Sequence, residues 1–346
     1  MKLTNKNLQE DKIEQLVISL GDFILSKQAP DGSIPSNEDG THDPWDHLEA
    51  VMGLIIAKQY KGAKLGINWM LANQNSDGSW YNTYKYSNPI HKNKQSNHSA
   101  YLATAAHCYF LATGDHDYLA EIYPALKKGY SFLLSMHSSS GAFAWNIDEQ
   151  GVLASDYLIA GNSSIFKSLE SLFHIAGFMH DESLQKQCIA SMKGIREAFK
   201  DLENNFDLTL DRSRFSMDFY YPTLCGLPFD EKVFFAAFDN FYQPGLGIKC
   251  VSEEPWVTVA ETCECALALS KIGYREKAKN LLSEVLKISD GENIPYMGWQ
   301  YKEEIFWPEE QPTWTAGAML LLIDALYELT PAAGIFMDSL SFANTQ

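Results

Sequence analysis

The stretch Gly66-Ile67-Asn68-Trp69-Met70-Leu71-Ala72-Asn73-Gln74-Asn75-Ser76-Asp77-Gly78-Ser79-Trp80 closes one helical pattern and sets a turn. An aromatic is followed by a Gln, an Asp-Gly turn and a second aromatic. The frame recurs. Phe23, Gln28, Gly32 and Ile34 keep the spacing of Trp69, Gln74, Gly78 and Trp80, and so do Phe132, His137, Gly141 and Phe143. Leu282, Lys287 and Gly291 form a decayed copy. Self-similarity at a fixed frame marks a repeated supersecondary unit.

Outward from this stretch, helical patterns of two kinds alternate. Those running into the Asp-Gly turns, such as 8–27, 61–73 and 116–136, are amphipathic. Leu8, Ile13, Leu16, Leu20, Phe23 and Ile24 lie on one helical face. Those that follow the turns, 44–59, 95–112 and 163–178, are apolar nearly all round and so read as buried. Asp43 before Pro44 reads as an N-cap and a first helical position. The alternation continues through 181–203, 214–226, 228–241, 257–271, 273–288 and 312–328. Twelve helices in six hairpins, with an outer amphipathic and an inner apolar set, predict an all-α chain folded as a single (α/α)6 toroid over residues 1–330. No alternating run is long enough for a sheet domain. The tail 331–346 leaves the helical pattern and reads as either a cap on the barrel or a disordered end.

The chain of 346 residues is 46% hydrophobic, enough for a large core. A net charge of -17 argues against nucleic acid and anionic membrane surfaces as partners. Aromatics make up 13% of the chain, generous for a helical protein, so rings are expected to line a cavity as well as fill a core. The six cysteines have no framework spacing, the first residues lack an apolar signal segment, and no run suits a membrane span. The expectation is a soluble, reduced, cytoplasmic protein.

The repeat frame resembles the QW repeat of terpene cyclases and the hairpins of protein prenyltransferase β subunits. Asp43-Pro44-Trp45-Asp46-His47-Leu48-Glu49-Ala50, Trp256-Val257-Thr258-Val259-Ala260-Glu261-Thr262-Cys263-Glu264 and Trp307-Pro308-Glu309-Glu310-Gln311-Pro312-Thr313-Trp314 together look like a bacterial group labelled prenyltransferase-like. The resemblance implies an isoprenoid or polyprenyl-linked substrate. Its motifs transfer poorly. The Asp-x-Asp-Asp acid of class II cyclases and the Asp-Asp-x-x-Asp of class I synthases are absent. Glu261-Thr262-Cys263 approximates the start of the prenyltransferase zinc set, but the last histidine, His180, precedes it.

In such a toroid the inner helices start at one mouth, so residues at those starts converge. Asp43, Asp46, Asp218, Glu261 and Glu309 are the candidate catalytic carboxylates. His47, Glu49, Asn97, His98, Tyr220, Tyr221, Trp256, Glu310 and Trp314 are the candidate substrate-binding residues. No metal ligand set is read, and magnesium is expected only if the substrate carries a diphosphate. First-turn carboxylates are favoured by the helix dipole whatever the function, and the tryptophans also serve as hairpin packing. Glu261 and Glu49 stand out because they lie inside apolar helices, where a carboxylate needs a partner or a raised pKa.

Carboxylates of raised pKa beside ionised ones, walled by aromatic rings, suit acid catalysis. The main expectation is protonation of an isoprenoid by Asp46 or Asp43, assisted by Glu261 and Asp218. The alternative is a six-hairpin glycoside hydrolase or lyase with Glu261 paired to Glu309 or Asp46. A non-catalytic ligand-binding toroid is the third reading.

Overall fold

A computed structural model describes residues 10–209 and 211–340. Leu8 and residues 341–346 of the tail lie outside the described residues. Helices and strands are numbered in chain order. Six helices form the inner ring: α2 (Pro44–Ile56), α4 (Ser96–Thr113), α6 (Ile159–Phe178), α9 (Met217–Leu224), α11 (Val259–Lys271) and α13 (Thr313–Tyr327). Each packs on the next, and α13 closes the ring against α2. Six more stand outside them: α1 (Glu10–Lys27), α3 (Tyr60–Ala72), α5 (His116–Leu134), α7 (Glu182–Ala198), α10 (Glu231–Phe241) and α12 (Arg275–Val285). A one-turn helix, α8 (Leu202–Asn205), joins α7 to α9. The protein is an (α/α)6 toroid.

Local chemistry places the boundaries. Asp43 caps α2, its Oδ1 accepting from the Asp46 N–H at 2.9 Å, with Pro44 in the first turn where its missing N–H costs nothing. The outer helices α5, α7 and α10 start on the aspartates Asp115, Asp181 and Asp230, each accepting from a backbone N–H of the first turn. The inner helices α2, α4 and α13 are buried along most of their length.

The repeated frame is a clasp between hairpins. The Gln74 side-chain amide donates to Gly78 O at 3.0 Å, within its own turn, and to Ala125 O in α5 at 2.9 Å. Gln28 repeats this one hairpin earlier, donating to Gly32 O and to Gly62 O in α3. The turn glycine needs both its positive φ and its missing side chain. Gly78 has φ +95, and a Cβ there would sit 2.1 Å from Lys128 O. Gly32 and Gly141 press in the same way on Leu65 O and Gly194 O of the next outer helix. In the decayed copy Gly291 is open, with nothing within 4 Å of a Cβ. Trp80 is buried and donates from Nε1 to Met70 O.

Among the described residues, ten short strands lie in the connections. The largest groups are β1 (Thr41–His42), β2 (Thr83–Lys85) and β3 (Asn88–His91), and β8 (Trp256–Thr258), β9 (Gly298–Gln300) and β10 (Ile305–Phe306), all antiparallel. β4 (Lys94–Gln95) pairs with β5 (Asn146–Ile147), and β6 (Tyr242–Gln243) with β7 (Gly247–Ile248). β1, β4 and β8 lead directly into α2, α4 and α11, so the small sheets brace the loops at the mouth. At the other end, residues 331–340 fold back on the barrel. Ala332, Ile335 and Phe336 are buried, and Lys167 and Lys271 donate to the Asp338 carbonyl. Among the described residues no helix is long and apolar enough to cross a membrane.

Candidate active site

The starts of the inner helices enclose a cavity of about 300 Å³ at the mouth. Five carboxylates line it: Asp43, Asp46 and Glu49 from α2 and its cap, and Glu261 and Glu264 from α11. Trp45, Trp145 and Trp314 supply aromatic walls, and Gln95, Asn97 and His98 come from the start of α4. Arg212 contributes a cation at the rim.

The carboxylates differ in their partners. Asp46 Oδ2 accepts from Ser36 Oγ at 2.7 Å. Burial raises the Asp46 carboxyl well above the ordinary range, and the charge of Asp43, then those of Glu49 and Glu261, push it the same way. Glu49 Oε2 accepts from Trp45 Nε1 and from Tyr101 OH, both at 3.1 Å. Burial nevertheless pushes Glu49 up to about 7, against the pull of those two donors. Glu264 accepts from Tyr220 OH at 2.5 Å and is raised well above the usual range by burial and then by Glu49. Glu261 contacts Cys250, while its Oε2 is buried with no protein partner. The cavity therefore places acids whose pKa values burial and mutual repulsion raise beside a Glu261 oxygen that has no protein donor, an arrangement suited to proton transfer.

The other expected residues fall in three places. Asn97, His98 and Trp314 line the cavity with the carboxylates; His98 Nδ1 has no protein partner, and burial lowers the pKa of its ring. Tyr220 and Tyr221 are buried just beneath it, Tyr220 through Glu264 and Tyr221 with its ring 5.5 Å from Trp45. His47 lies off the cavity. It accepts from Ile34 N–H at Nδ1 and contacts Gly66 O through Nε2, joining α2 to α3. Asp218 lines an adjoining groove, where burial and then the charge of Asp207 push it up to about 7. Glu309 and Glu310 are exposed and outside the cavity lining. Trp256 stands outside it too, donating to Trp307 O at 2.5 Å. Glu264 and Trp145 were not among the expected site residues. Glu264 was within reach, since three residues after Glu261 is the same helical face. Trp145 sits in a loop whose path no periodicity encodes. Among the described residues, no group of three or more His, Cys, Asp or Glu is arranged to hold a metal ion.

The chain is 33% identical over 316 residues to the MMP endo-(1,4)-3-O-methyl-alpha-D-mannosidase of Mycolicibacterium hassiacum, a span of 90% of this chain and 86% of that enzyme. The chain belongs to the family of this endo-mannosidase. No family model matches it. Two solved structures share the fold of this chain: a wild-type glycosidase (TM-score 0.69, 12% identity, 94% of this chain and 100% of that one) and a D-mannose isomerase (0.68, 12%, 92% and 98%). At that identity they speak to fold alone, and the fold hosts more than one sugar chemistry.

Membership in an endo-mannosidase family overturns the resemblance to terpene cyclases and prenyltransferases, and with it the isoprenoid substrate. The reason is physical. The Gln-Gly-aromatic frame answers the problem of joining one helical hairpin to the next, and it holds Gly78 against α5 whatever the cavity binds. The clasp is therefore evidence of a toroid and carries no information about substrate.

Proposed function

We propose that the protein is an endo-acting glycoside hydrolase that cuts internal α-(1→4) bonds of a mannose oligosaccharide, with 3-O-methylated chains as the substrate class suggested by its relative. The observation that carries this reading is the pairing of Asp46 and Glu261 across one aromatic-walled cavity, from helices α2 and α11 that are not neighbours in the ring.

In this reading Asp46 is the general acid. Its raised pKa keeps the proton in place, Ser36 holds the other carboxyl oxygen, and the proton passes to the glycosidic oxygen as the C1–O bond breaks. Glu261 meets the positive charge developing at C1, either directly or through a water that it deprotonates. Asp43, held as the cap of α2, stands beside the acid. Trp45, Trp145 and Trp314 offer faces on which sugar rings stack. No diphosphate enters this chemistry, so there is none for magnesium to bridge.

Digestion of α-(1→4)-linked 3-O-methylmannose and unmethylated mannose oligosaccharides, followed by mass spectrometry, tests the reading. Internal cleavage is expected, with Asp46→Asn and Glu261→Gln each lowering turnover by about 10²–10⁴-fold at unchanged melting temperature. Cleavage that survives both substitutions, or wild-type protein inert on both chains, would sink it.

A further inference from the structure

A second hollow, of about 710 Å³, opens beside the catalytic cavity between the start of α6, residues 206–209, 211 and 213, α9 and α10. The two share a thin wall. Ile159 faces the groove and Ala160 the cavity; Asp218 faces the groove and Met217 the cavity; Asp211 and Ser213 face the groove and Arg212 the cavity. The Ala160 N–H donates to Asp218 Oδ1 at 3.3 Å across this wall. Buried Asp156 ties the two sides together. Its carboxylate accepts from Leu208 N–H and Thr209 Oγ in the groove loop, and its backbone carbonyl accepts from the N–H of Trp145 in the cavity.

The groove combines two kinds of unsatisfied surface. Leu208 and Val233 are left 51% and 69% exposed, beside the buried rings of Phe206 and Phe241. Between them Asp207 Oδ1 and Asp218 Oδ2 are buried oxygens with no protein donor. Asp207 is held in the left-handed region, φ +50, a conformation that costs a non-glycine residue energy and is often kept for function. A ligand that completes this surface must donate hydroxyl hydrogens to carboxylates and lay carbon on aliphatic side chains within the same few ångströms. Partly methylated sugars do both: free hydroxyls donate, and methyl ethers cover the apolar wall.

We propose that this groove is a distal subsite that receives 3-O-methylated sugar units several residues away from the bond being cut. The proposal rests on the endo-glycosidase reading. It also accounts for a cavity at the small end of ligand sites serving an enzyme that cuts within a chain: the substrate leaves the cavity over the shared wall and continues along the groove.

The test uses two exposed groove positions on α10, Asn240→Trp to fill the space and Val233→Asp to spoil the apolar wall. Each full-length variant is assayed on a methylated chain of about ten units and on a methylated trisaccharide, alongside calorimetric binding of the long chain to an Asp46→Asn background. The expected result is a KM about tenfold higher for the long chain with kcat held and the trisaccharide unaffected, and about tenfold weaker binding. Val233→Asp is expected to penalise the methylated long chain more than an unmethylated one of equal length. Equal effects on long and short substrates, or no effect on either, would overturn the subsite. A wild-type protein that cleaves nothing would overturn the proposed reaction instead, and the binding titration still reads the groove: a long chain that binds wild type and both groove variants alike removes it.

Discussion

Both ends of the barrel bury charge, and they treat it in opposite ways. At the closed end Lys167 and Glu170, each 3% exposed, meet at 2.5 Å. Lys167 and Lys271 also donate to carbonyls of the tail, and Glu170 accepts from the Leu340 N–H. At the mouth five carboxylates crowd one cavity with Arg212 as the lining cation. The barrel's own geometry sorts the signs: inner-helix N-termini carry partial positive charge and favour carboxylates, while the C-termini favour lysines such as Lys271. Beyond that the ends diverge. The closed end pairs Lys167 with Glu170 and uses Lys167 and Lys271 to hold the tail in place. The mouth leaves like charges together, raises the pKa values of Asp46, Glu49 and Glu264 and keeps polar atoms unpartnered, which is unfavourable for folding and useful for proton transfer.

The sharpest way to break this contrast is to remove one charge at each end. Lys167→Met leaves Glu170 buried without its partner and should lower stability by about 3–5 kcal/mol in denaturant unfolding. Glu264→Gln keeps an acceptor for Tyr220 while removing a crowded charge, and should leave the melting temperature unchanged or higher. Equal destabilisation by both would show that the ends are alike. A smaller effect follows from pH. Glu49 takes up its proton more readily in the folded state, at about 7, than in the unfolded chain, at its ordinary 4.5, so its contribution to stability is complete below 4.5 and is lost as pH rises through 7. Glu49→Gln should therefore flatten the decline of stability between pH 5 and 8 relative to wild type, measured by thermal melts across that range; parallel curves would reject the shift. The smallest change is expected at neither end. Gln74→Ala removes two hydrogen bonds of one clasp and should cost about 1–3 kcal/mol, with catalysis untouched.

The ring was legible because it is written in local terms. Aspartate caps, apolar spacing and positive-φ glycines are properties of neighbours in the chain, and they located all twelve hairpin helices to within a few residues at most ends. The strands were not, because segments of two to four residues such as β4 and β5 are strands only through their pairing. The site was half legible. The rule that inner-helix starts converge brought together Asp43, Asp46, Asn97, His98, Glu261 and Trp314. It did not separate these from Glu309 and Glu310, which precede α13 on a loop that turns to solvent. Nor did it distinguish His47 from Glu49 on α2, one bonded to α3 and the other facing the cavity.

The amino-acid sequence by itself determined the toroid, its two rings and the acidic character of its mouth, since each follows from periodicity and from what a helix terminus favours. Which carboxylates share a cavity, which oxygens lack a donor, and where the second groove meets the first were decided by tertiary structure alone. Those properties depend on distances between α2, α6, α9 and α11, residues far apart in the chain, and on loops between them that carry no repeating pattern.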